Sequence, residues 1–143
     1  MNKLIIATHG NLSFGLKETY EMVAGEIPEN VSFLSLRKDS DINTFKQEFL
    51  SSIENLNFND DILILVDLEG GSPYNVACEY YYSEKYRGKI EVITGVNFPM
   101  LVQAIEELNS STLKELADET INQGKNCIVR AKELINLENE DEF

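Results

Sequence analysis

The chain contains no tryptophan, one histidine, two cysteines and three prolines, and its 12 lysines and arginines face 25 aspartates and glutamates. Each scarcity excludes something. A net charge of −13 opposes a phosphate backbone, so nucleic acid is not an expected partner, whereas a basic protein face would be steered towards the chain. Cys78 and Cys127 lie far apart, in no CxxC or CxxxxH context, and with a single histidine they do not suggest a zinc site. They read as small core hydrophobes in a reducing compartment. No apolar run approaches the roughly 18 residues of a membrane span, and no secretory leader is recognisable. The expected location is therefore cytoplasmic, with no metal and no cofactor.

What is present is a globular pattern. A length of 143 residues fits one domain, and 43% hydrophobic against 26% charged residues argues against disorder. Short β-type runs alternate with longer helical ones. Residues 3–8 read as a strand. A helix follows from Ser13 to about Ala24, with Phe14, Leu16, Tyr20 and Val23 on its apolar face and Gly25 as its stop. Residues 31–36 read as the second strand. Asp41 caps a helix carrying Ile42, Phe45, Phe49, Ile53 and Leu56. Residues 61–66 are the third and most apolar strand, placed centrally.

Ser72-Pro73 reads as N-cap and first residue of a helix through Val76, Ala77 and Tyr80 to about Lys85. A fourth strand covers 90–94, a helix opened by Asn97 covers 99–108, and Thr112 caps a last helix that stops near Gly124. Cys127–Ala131 fits either a short strand or more helix. Leu137–Phe143 is an acidic tail, expected to fray. This alternation implies a parallel sheet covered on both faces, an α/β fold of four strands in one domain.

Open parallel sheets place their ligand sites beyond the carboxyl ends of adjacent strands. Here the first strand ends in His9-Gly10 and the third in Asp67-Leu68-Glu69-Gly70-Gly71-Ser72-Pro73. If the two strands are neighbours, Asp67 accepts the Nδ1–H of His9, fixes the tautomer and aims Nε2 outward. Gly70, Gly71 and Ser72 precede a helix N-terminus, where free amides and the helix dipole favour an anion. Ser13, a further polar neighbour of His9, is a candidate phosphoryl-binding residue with them. The GGSP stretch lacks the lysine of a P-loop and the spacing of a dinucleotide fingerprint, which argues against ATP and NAD. Asn97, in Gly95-Val96-Asn97-Phe98-Pro99-Met100, walls the same crevice and reads chiefly as an N-cap.

Taken together, Thr8-His9-Gly10, Val66-Asp67-Leu68 with Gly70-Gly71-Ser72-Pro73 and Asn75, and Gly95-Val96-Asn97 with Pro99-Met100-Leu101 resemble the enzyme IIA component of mannose-type sugar phosphotransferase systems. The resemblance runs from residue 1 to about 131, leaving 132–143 as the tail. It implies a mostly parallel sheet with a short antiparallel fifth strand, at Cys127–Ala131, exchanged within a homodimer. It also implies that His9 is phosphorylated by the phosphocarrier HPr, with Asp67 as its partner carboxylate, and that the group passes to a IIB component serving a membrane sugar permease. One departure is Glu69, where such proteins usually carry a large aromatic or apolar residue; it and Asn97 are candidate partner-recognition residues. Two alternatives stand beside this reading. One is the phosphocarrier domain of the dihydroxyacetone kinase type; the other is a non-catalytic domain that reads phosphorylation state.

Overall fold

A computed structural model describes residues 2–54 and 60–134. Four strands, β1 (Asn2–His9), β2 (Val31–Leu36), β3 (Asp61–Val66) and β4 (Ile90–Ile93), form one all-parallel sheet in the order β2-β1-β3-β4. The helices are α1 (Leu12–Ala24), α2 (Ile42–Glu54), α3 (Ser72–Tyr81), α4 (Phe98–Glu107) and α5 (Leu113–Asn126). The expected α/β class and the interior position of β3 are both observed.

The strand alternation builds two cores. Leu4, Ile6, Leu63 and Leu65 face α1, α4 and α5, against Leu16, Tyr20, Leu101, Ala104 and Leu116. Ile5, Ala7, Ile62, Ile64 and Val66 face α2 and α3, against Phe45, Phe49, Ile53, Val76 and Ala77. Buried on both sides, β1 and β3 have no polar face to alternate, which is why they read as continuous apolar runs. Phe49 adds ring contacts at 5.9 Å to Phe45 and 5.5 Å to Tyr80, tying α2 to α3.

Several boundaries differ from expectation. α1 buries Ser13, Leu16 and Tyr20, a stripe at three- and four-residue spacing, and leaves Phe14 and Val23 exposed. The N-cap of α3 is Gly71, with Ser72 the first helical residue and no side-chain cap. α3 ends at Tyr81, and only a three-residue 3-10 turn, Glu84–Tyr86, continues towards β4. α5 runs past Gly124 because that glycine is a packing residue rather than a stop. A Cβ there would lie 2.5 Å from Met100 Cγ. Thr112 caps α5 as expected, and does so in a capping box with Glu115. Beyond α5, Ile128, Val129 and Arg130 have no regular structure, and residues 131–134 are helical. Cys127–Ala131 therefore pairs with no strand among the described residues. Leu56 and the acidic stretch from Leu137 lie outside the described residues.

Candidate functional site

β1 is the switch point of the sheet, because the chain leaves it towards β2 on one side and returns as β3 on the other. The register sets Ala7 beside Val66 and His9 beside Leu36. Asp67, one residue past Val66, is thereby carried alongside the end of β1. Its Oδ2 accepts the His9 backbone N–H at 3.0 Å and lies 2.9 Å from His9 Nδ1. A carboxylate can only accept, so Nδ1 is the protonated nitrogen and Nε2 carries the free lone pair. The imidazole is 44% exposed and the carboxylate 17%. Asp67 Oδ1 is buried with no hydrogen-bond partner among the described residues, so His9 is the one group that compensates this carboxylate.

The turn at His9 is held from the other flank as well. Gly10, at φ +57°, donates its N–H to Leu36 O at 2.8 Å, and the Ser35 hydroxyl donates to Gly10 O. β2 thus grips both polar groups of Gly10, while β3 grips His9 through Asp67. The ring cannot swing far without breaking one set.

Over the ring lies the start of α3. Gly71 is close enough that a Cβ there would fall 2.6 Å from His9 Cε1 and 3.2 Å from Nε2. Gly70 adopts φ +80°, and its carbonyl accepts from Asn75 Nδ2 at 3.3 Å, fixing the loop. The Gly71 amide makes a long bond of 3.3 Å to Leu68 O. The Ser72 hydroxyl makes no hydrogen bond among the described residues and remains available to a ligand. Gly95 N–H donates to Asp67 O at 3.2 Å, which anchors the β4–α4 loop to the same strand end.

The other expected residues fall elsewhere. Ser13 is fully buried: its amide donates to Thr8 Oγ1 at 2.8 Å, and its hydroxyl has no partner among the described residues. A group arriving from solvent does not meet it in this conformation. Asn97 caps α4 through Met100 N at 3.0 Å and donates to Gly124 O at 3.1 Å, so both ends of its amide are engaged within the chain. Glu69 and Leu68 are exposed on the loop after Asp67. The packing of Gly71 on the imidazole, the Ser35 hydrogen bond and the grip of Leu36 carry no local sequence signal, since each depends on strand order. Two clefts flank β4, of about 190 and 340 Å³, and His9 lines neither. The imidazole, 44% exposed, is within reach of a second macromolecule.

An open parallel α/β domain with a carboxylate-held histidine at its switch point is the class that fold and site define. The chain belongs to the family of PTS system fructose IIA components, which it matches over residues 3–121. It is 28% identical over 116 residues to the PTS system fructose-specific EIIA component of Bacillus subtilis, covering 81% of this chain and 77% of that one. It is 33% identical over 125 residues to the mannose-specific EIIAB component of Escherichia coli K12, covering 85% of this chain but 38% of that longer protein. The crystal structure of an EIIA component from Streptococcus agalactiae superposes with a TM-score of 0.79 at 29% identity, covering 91% of this chain and 97% of that one. The PTS IIA protein of a fucose utilization operon from Streptococcus pneumoniae matches equally well, at TM-score 0.79 and 29% identity over 94% and 96% of the two chains.

Proposed function

We propose that the chain is a phosphohistidine carrier, accepting a phosphoryl group from HPr on His9 Nε2 and passing it to a IIB component. The observation that carries this is the 2.9 Å contact of Nδ1 with Asp67, which fixes the tautomer that leaves Nε2 nucleophilic. In the transfer, Nε2 attacks phosphorus as the donor nitrogen leaves in line with its electron pair. The proton stays on Nδ1, and Asp67 offsets the positive charge that develops on the ring. Gly70, Gly71 and Ser72, at the N-terminus of α3, offer backbone dipoles and a hydroxyl to the phosphoryl oxygens. Positioning and electrostatics suffice for such a step, so neither a metal nor a nucleotide is called for.

The exposed imidazole suits protein partners, and the sugar permease would be served only indirectly, through IIB. Glu69, on the rim, would meet a basic partner face. Asn97 would act on recognition through the α4 N-terminus it caps. A cytoplasmic homodimer, with the stretch at Cys127–Ala131 exchanged between subunits, fits the exposed Ile128 and Val129 and the open edge of β4. Incubation with HPr, enzyme I and labelled phosphoenolpyruvate tests the central claim. Label should appear that is acid-labile and base-stable, and His9→Ala should abolish it; acid-stable label would refute it.

A further inference from the structure

The glycine pair over the imidazole has no steric preference of its own. Gly70 and Gly71 both lack a Cβ, so the peptide between them turns about its flanking bonds at little cost. Yet the site needs that peptide in one place. A Cβ on Gly71 would fall 2.6 Å from His9 Cε1, so the Gly71 backbone rests close against the ring. The next residue, Ser72, carries a backbone N–H and a hydroxyl that make no hydrogen bond among the described residues. A shift of this peptide moves all of these groups relative to Nε2.

Asn75 supplies the hold. It lies one turn into α3, and its backbone and side-chain donors take both carbonyls of the pair. The backbone N–H donates to Gly71 O at 2.9 Å, as any residue at that helical position would. The side-chain Nδ2 turns back and donates to Gly70 O at 3.3 Å. A trans peptide points its carbonyl and its N–H in opposite directions. Here Asn75 holds the Gly70 carbonyl and Leu68 O accepts the Gly71 N–H at 3.3 Å, so one peptide plane is fixed at both ends. Both bonds are long and the asparagine is exposed, so its side chain adds little to the stability of the fold. An exposed helical position favours alanine, glutamate or lysine on propensity alone. The residue found there is instead one whose short amide reaches the preceding loop.

We propose that Asn75 is a positioning residue for phosphoryl transfer, its amide keeping the Gly70–Gly71 peptide, and with it Ser72, at the placement over His9 that the incoming phosphoryl oxygens require. The assignment rests on the carrier function proposed above and deepens it. Asn75 makes no bond to the ring and exchanges no proton; it acts through the glycine pair.

The test uses the full chain as wild type, Asn75→Ala, Asn75→Asp, Asn75→Gln, Gly71→Ala and the Asn75→Ala, Gly71→Ala double variant, with two donors. One is phosphorylated HPr; the other is phosphoramidate, which has no protein face. Asn75→Ala should melt close to wild type yet slow labelling of His9 about tenfold with both donors. With phosphorylated HPr the loss should fall in the limiting rate and not in the half-saturating concentration. Asn75→Asp keeps the shape but can only accept, so it should be slow at low and at high salt, although an acid near the N-terminus of α3 suits the helix. Asn75→Gln, which still donates, should recover part of the rate. The double variant should be little slower than Gly71→Ala alone, because both changes displace the same peptide. Fully multiplying losses would overturn the proposal, since Asn75 would then act apart from the loop. So would wild-type rates in Asn75→Ala or Asn75→Asp, or a loss confined to phosphorylated HPr, which would make Asn75 a docking contact. A wild-type chain labelled by neither donor is a different pattern, which removes the carrier function and this assignment together.

Discussion

A single oxygen of Asp67, Oδ2, takes both the backbone N–H of His9 at 3.0 Å and contact with its ring Nδ1 at 2.9 Å. The two bonds do different work. The first ties the end of β1 to the end of β3 and is indifferent to ring chemistry. The second selects the tautomer and stabilises a positive ring.

Asp67→Asn separates these roles. The amide keeps the shape and its carbonyl still accepts the backbone bond, so the fold should persist. The ring loses its counter-charge, and the wrong tautomer becomes competitive. Phosphoryl transfer from HPr to His9 should fall roughly 10²-fold or more, as for loss of an acid–base orienting group. Circular dichroism and rapid-quench transfer measured on the same sample check both halves; equal transfer rates would reduce Asp67 to a loop cap.

Gly70 and Gly71 are adjacent glycines with separate reasons to be glycine. Gly71 has an ordinary extended backbone, φ −77°, but its missing Cβ makes room for the imidazole. Gly71→Ala should leave stability near wild type while displacing the ring and slowing transfer by tenfold or more. Gly70 sits at φ +80° in open space, so Gly70→Ala should cost about 1–2 kcal/mol of backbone strain and disturb His9 less. Thermal denaturation set beside transfer rates distinguishes the two patterns.

Glu69 tests the rim. Its carboxylate is exposed one residue beyond Leu68, which is itself 60% exposed. Glu69→Phe should change the association rate with the cognate partner and flatten its salt dependence, leaving the hydrolytic lifetime of phosphorylated His9 as it was. Stopped-flow transfer at two ionic strengths reads this directly, and identical rates at both would leave Glu69 without a role in docking.

The segment after α5 tests assembly. Ile128 is 78% exposed and Val129 49%, beside an edge strand of four residues. Truncation before Asn126 should give monomer or aggregate, and Ile128→Asp with Val129→Asp should weaken self-association while leaving the sheet intact. Sedimentation of the full chain at micromolar concentration should show a dimer, and a stable monomer there would contradict the exchange.

Sequence by itself determined the class of fold, because β1 and β3 are too continuously apolar to face water on either side and the intervening helices must cover them. It also determined which groups can do chemistry: one histidine at a strand end, one aspartate at another, and a glycine pair before a helix. The capping residues Asn97 and Thr112 were legible because a cap is a local bond between a side chain and an amide three residues on. Tertiary structure decided what depends on strand order. The adjacency of β1 and β3 turned His9 and Asp67 into a hydrogen-bonded pair, and the adjacency of β1 and β2 set Ser35 and Leu36 on Gly10. It buried Ser13, which sequence offered as a polar neighbour of His9, and exposed Phe14, which sequence placed on the apolar face of its helix. The helical period fixes which residues share a stripe but not the angle at which the stripe meets a sheet, and only packing sets that angle.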